Sequence, residues 1–105
     1  MTRLFLIKDD DGSDLWVAAV IDQDVWTYVA NTGKFHLNEG AREDFFFLNE
    51  LDFSDLGISE AQRLIAAGVG TVDEQQTPDS LRRWRADESA MDPDIVFASM
   101  AADLA

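Results

Sequence analysis

The stretch that decides the fold is Leu15-Trp16-Val17-Ala18-Ala19-Val20-Ile21-Asp22-Gln23-Asp24-Val25-Trp26-Thr27-Tyr28-Val29. Two runs dense in β-branched and aromatic residues flank a short acidic link, which is the pattern of two strands joined as a hairpin. With Asp22-Gln23-Asp24 taken as the link, Trp16 and Trp26 fall on one face of the sheet. Leu15, Val17, Ile21, Val25 and Val29 fall on the other, the side that helices would cover.

Working outward, Leu4-Phe5-Leu6-Ile7 is a shorter apolar run that ends in Lys8-Asp9-Asp10-Asp11-Gly12-Ser13-Asp14, where Asp and Gly supply turn chemistry. On the other side, Asn31-Thr32-Gly33 tolerates positive φ, and Lys34-Phe35-His36-Leu37 alternates polar with apolar. Parallel pairing needs crossovers of about a dozen residues, and these links are far shorter. The pattern therefore predicts a four-stranded antiparallel meander. Residues 38–57 leave their type open, because Phe45-Phe46-Phe47-Leu48 suits either a buried strand or a helical turn; Glu43, Asp44, Glu50 and Asp52 flank it as charges that restrain aggregation.

Helix signals follow. Ser59 and Gln62 have capping-box spacing, Ala61, Leu64 and Ile65 form a stripe, and Gly68 suits the position after a helix end. Thr77-Pro78 and Asp92-Pro93 each place a capping residue before a proline at the first helical position. The last helix carries Val96, Phe97, Met100, Ala101 and Leu104 as its apolar stripe. The fold class expected is α+β, with the N-terminal four-stranded antiparallel meander followed by two or three helices packed on one face, in one acidic domain spanning residues 1–105.

Charge narrows the function classes. Twenty-one Asp and Glu against eight Lys and Arg give a net charge of -13 in 105 residues. A chain so acidic is a poor ligand for nucleic-acid phosphates. The absence of cysteine excludes disulfides, thiolate metal sites and cysteine nucleophiles, and fits a cytoplasmic address. No apolar run reaches the ~20 residues of a membrane span, and no signal-like core forms at the N-terminus.

Catalytic motifs are missing. There is no Gly-rich phosphate loop and no nucleophile elbow, and His36 is the only histidine. The strand alternation puts His36 on the same face as Lys34, so it is expected as a surface histidine rather than a general base. The expectation is a non-enzymatic chain with no cofactor. The aspartate-rich loop at 9–14 is the best cation candidate, yet with Gly12 as the sixth position of a calcium loop, Ile7 and Ala18 stand where carboxylates are required. It reads as a turn, with no metal site assigned. Arg82, Arg83 and Arg85 are within helical reach of Asp79, Asp87 and Glu88 and can neutralise themselves.

What remains is an electrostatic argument. Alternate loops of a meander emerge at the same end, so Asp22, Asp24, Glu39, Glu43 and Asp44 should converge there, a field that steers a basic partner. Trp16, Trp26 and Tyr28 are the residues most suited to anchor such a partner, or equally to fill a core. The function expected is a protein-binding module, in concrete form an immunity protein or antitoxin-like inhibitor of a basic, nuclease-like partner. Two alternatives stand beside it: a small metal-responsive regulatory domain built on the 9–14 loop, and an acidic housekeeping domain whose charge serves solubility or salt adaptation.

Overall fold

The computed structural model describes residues 1–104. The chain runs β1 (Thr2–Lys8), β2 (Asp14–Ile21), β3 (Asp24–Val29), β4 (Lys34–Leu37), α1 (Glu39–Glu43), a π-helical turn (Asp44–Leu48), β5 (Asp52–Leu56), α2 (Ile58–Ala66), α3 (Pro78–Arg85) and α4 (Pro93–Leu104). All strands pair antiparallel in the order β4-β3-β2-β1-β5. The α+β class and the four-strand meander are as the sequence predicts. A fifth strand comes from the segment whose type was open: the chain leaves β4 and returns along the free side of β1 at the opposite edge.

The helices do not all lie on one face, which corrects that part of the expectation. One face, carrying Leu4, Leu6, Val17, Ala19, Tyr28 and Phe35, packs with Ala61 of α2 and with Val96 and Phe97 of α4. The other, carrying Phe5, Ile7, Ala18, Val20 and Val25, packs with Ala41 of α1 and Phe45 of the π turn. Trp84 of α3 closes the second face over Trp16 and His36. A strand with both faces buried reads as a continuous apolar run, which is why Leu4 to Ile7 and Val17 to Val20 are buried without alternation.

The two tryptophans also separate. Ile21 pairs with Asp24 and Ala19 with Trp26, so only Asp22 and Gln23 form the turn. Asp22 takes a left-handed φ of 57°, which two-residue hairpin turns favour and which Asp tolerates. Shortening the link by one residue shifts the register by one and inverts a whole strand. Trp26 therefore shares its face with Val17 and Ala19, while Trp16 shares the opposite one with Ala18, Val25 and Thr27.

The helix boundaries follow local chemistry. Pro78 and Pro93 open α3 and α4 at the predicted positions. Gly57 precedes α2, and Ser59 lies inside it, so the Ser59–Gln62 capping box does not form. The end of α2 is a Schellman arrangement: Gly68 sits at φ 92°, its N–H donates to the Ile65 carbonyl, and Val69 N–H donates to that of Leu64. The chain then crosses to β3, where Ala30 N–H, aimed at the space β2 has left, donates to the Gly70 carbonyl, and Asn31 exchanges two side-chain bonds with Val72.

Candidate partner-binding surface

The acidic end of the sheet is assembled around α1. Asn38 donates its backbone N–H to the Val25 carbonyl, its side-chain nitrogen to Thr27 Oγ1, and accepts the Ala41 N–H at 2.9 Å as helix cap. Arg42 Nε donates to the Gln23 carbonyl at 2.6 Å and stands 3.8 Å from Asp24. These bonds hold α1 beside the β2–β3 turn. Asp22, Asp24, Glu39 and Glu43, all exposed, thus meet at one end, as the meander argument requires. Asp22 accepts a hydrogen bond from the N-terminal ammonium at 3.2 Å, so two cations offset part of the field.

Asp44 is the exception in that set. It is buried, and its carboxylate accepts the N–H groups of Glu50 and Leu51 at 3.0 Å each. The Asp44 carbonyl accepts the Asn49 N–H at 2.8 Å, closing the wide π turn, and Asn49 reverses the chain at φ 55°. One residue thus clamps both ends of the turn, and its charge is spent on backbone amides rather than offered to a partner.

The clamp has a consequence at the surface. Phe45 turns inward onto Phe5 and Phe53, with ring centroids 5.3 and 4.9 Å away. The next three side chains point out: Phe46 is 41%, Phe47 72% and Leu48 53% exposed. The Arg42 guanidinium lies 5.6 Å over the Phe46 ring. Three large apolar side chains thus stand exposed in succession on a braced turn, flanked in the chain by exposed Glu39 and Glu43 before it and by exposed Glu50 and Asp52 after it.

The aromatic trio expected as the anchor does not form a surface. Tyr28 is buried against Phe35, Trp26 is half-buried on its side of the sheet, and Trp16 lies half-buried on the other, edge-on to Trp84 at 6.3 Å. Of the two roles the sequence leaves open to these residues, Tyr28 takes the core one, and Trp16 and Trp26 are partly covered on opposite faces. The acidic residues flanking Phe45-Phe46-Phe47-Leu48 were the available signal, since charges placed to restrain an apolar run also mark one that is accessible.

His36 corrects another expectation. It is 1% exposed, because α3 covers the face that the alternation had left to solvent. Its Nε2 lies 2.7 Å from Thr32 Oγ1 and its Nδ1 3.0 Å from Asp87 Oδ2. Asp87 in turn accepts the hydroxyl and N–H of Ser89. Burial pushes the Asp87 carboxyl up, but the Ser89 and His36 hydrogen bonds outweigh it, so it titrates below the ordinary 3.8. The hydroxyl–imidazole–carboxylate order is that of a proton relay. Thr32 also donates to the Val29 carbonyl at 3.1 Å, and the cleft beside the array is lined by Trp84 and Asp87 rather than Thr32. In the fold the array ties the end of α3 to β4.

The 9–14 loop turns its carboxylates onto its own backbone: Asp9 Oδ1 accepts the Asp10 N–H and Asp11 Oδ1 the Ser13 N–H. The Ser13 side chain and amide hold Asp11 below the usual carboxylate range. Among the described residues no three His, Asp or Glu side chains are grouped to hold a metal ion. In α3, Arg82 pairs with Asp79 at 3.1 Å as expected, whereas Arg83 reaches Ser80 and Arg85 reaches Glu74 at 2.8 Å, a partner outside the helix. Comparison of the chain with protein-family models, curated proteins and solved structures finds no match.

Proposed function

We propose that the chain is a non-enzymatic protein-binding module that occludes a basic partner, in its concrete form an inhibitor of a nuclease-like protein. The observation that carries this reading is the exposed Phe46-Phe47-Leu48 turn, flanked in the chain by exposed Glu39 and Glu43 and by exposed Glu50 and Asp52. Apolar side chains at the centre of an interface supply most of its energy when desolvated, and a charged rim governs encounter and partner choice. Carboxylates at such a rim occupy the places that nucleic-acid phosphates would take on a basic protein, so the net charge of -13 becomes part of the mechanism. Trp16, Trp26 and Tyr28 have no part in the contact.

The test is retention of a basic protein from an extract of the native cell on the immobilised chain, followed by assay of that protein's nucleic-acid cleavage with and without added chain. Wild type should retain it and suppress cleavage. Phe47→Ser, at an exposed position, should lose retention while keeping its melting temperature. If Phe47→Ser retains the protein as well as wild type, or the retained protein is acidic, the reading is wrong.

A further inference from the structure

The two edges of the sheet are finished differently. On β4, Phe35 and Met91 exchange both backbone hydrogen bonds, at 2.8 and 2.9 Å, and so seal the outer side of the strand. On β5 the outward groups follow from the ladder. The Met1 carbonyl accepts the Asp22 N–H on the β2 side, and the Thr2 N–H, one residue on, points the other way and donates to Asp103. Alternation then directs Leu4, Leu6 and Lys8 to β5, where they pair with Leu56, Ser54 and Asp52. The N–H and C=O groups of Phe53 and Asp55 are left facing away from the sheet. Among the described residues nothing bonds to them.

The side chains along this edge state what it accepts. Asp52 is exposed, and Asp55 keeps 78% of its side chain exposed although Arg3 reaches it at 3.2 Å. Unpaired edges invite a further strand, and charge on them decides which one. A second copy of this chain would bring its own aspartates and a net charge of -13 to the same edge, which opposes self-pairing. Asp52 and Asp55 stand on opposite faces of β5, so a segment carrying Lys or Arg at alternate positions sets its charges on the face of Asp55 and is complementary to it. Leu48 precedes β5 by three linking residues, so the apolar turn leads directly into the open edge.

Resting on the reading of the chain as a binder of basic proteins, we propose that the partner docks by adding an extended Lys- or Arg-bearing segment to the free edge of β5 as a sixth strand. Main-chain bonds to Phe53 and Asp55 hold the segment, and Asp55, on the face it shares with Phe53, selects its charge.

The experiment is amide hydrogen exchange by NMR on the full chain with a synthetic seven-residue peptide alternating Lys and Val, capped at both ends. Exchange at Phe53 and Asp55 should slow on binding, while Ser54, already bonded to β1, stays unchanged. Asp55→Pro removes an outward N–H where an edge strand tolerates proline, and should weaken peptide binding about tenfold, the worth of one or two hydrogen bonds. Should that variant not fold, Asp55→Lys should weaken the Lys-Val peptide and admit a Glu-Val one. The proposal is overturned if the peptide leaves Phe53 and Asp55 exchange unchanged, if Asp55→Pro folds and binds as wild type, or if the chain protects both amides on its own as its concentration rises. Two further outcomes separate the proposal from the reading beneath it. Shifts confined to Asp22, Glu39 and Glu43 would refute edge docking and keep the basic partner. Equal binding of an uncharged Thr-Val peptide at the edge would keep strand addition and remove the basic partner.

Discussion

Gly70 has no room for a side chain. A Cβ there would lie 2.3 Å from the Tyr28 carbonyl oxygen, and its φ of 94° is one that other residues rarely adopt. Gly12 has a similar φ of 84° but open space around it. Gly70→Ala should therefore cost at least about 2 kcal/mol and Gly12→Ala only about 1 kcal/mol, by chemical denaturation. A second residue-scale prediction comes from Asp87, whose folded carboxyl titrates below 3.8. Because the unfolded chain binds that proton first, Asp87 adds stability that is present above its ordinary value and lost as pH falls through the folded one. Stability followed from about pH 5 to about pH 2 should fall less steeply in Asp87→Asn than in wild type. An unchanged acid limb would show that the His36–Asp87–Ser89 bonds have no energetic weight. His36 itself was misread from sequence because alternation reports only which residues share a face. Whether that face is covered depends on Trp84, 48 residues further along the chain.

Among the elements, those with local punctuation were legible. Pro78, Pro93 and Gly68 act through their own backbone restrictions, and the sequence places them at the ends where they work. The β2–β3 hairpin was legible as a hairpin but not in its register, since the choice between a two- and a three-residue link rests on whether Asp22 enters the left-handed region. The π turn was not legible, because its bonds come from a carboxylate reaching six and seven residues ahead to Glu50 and Leu51. The docked C-terminal helix gives a direct test of packing. Phe97 is buried edge-on to Phe35 at 6.5 Å, and Thr2 bonds Ser99 across the same contact. Phe97→Ala should cost about 3–5 kcal/mol, enough to unfold a small marginal fold, and the check is its denaturation midpoint. Leu104→Ala, at a position 71% exposed, should leave the midpoint within about 0.5 kcal/mol of wild type.

At the scale of the whole molecule, charge and apolar surface are distributed in a way that composition alone cannot give. The sheet is buried on both faces, so the large apolar side chains should be used up inside, yet Phe46, Phe47 and Leu48 stand outside on a turn that Asp44 fixes. The convergence of Asp22, Asp24, Glu39 and Glu43 was legible because antiparallel topology alone dictates which loops share an end. The apolar turn beside them was not, because it depends on the long-range placement of α1 against the hairpin through Arg42 and Asn38. Steering and then anchoring of a basic partner by this surface are separable by stopped-flow association with the captured partner over a range of ionic strength. Association should be fast at low salt and slow steeply as salt rises, with a slower and flatter dependence for Asp22→Lys/Asp24→Lys and little change for Asp10→Lys/Asp11→Lys in the 9–14 loop. An association rate indifferent to salt and to both charge reversals would show that the acidic surface steers no partner.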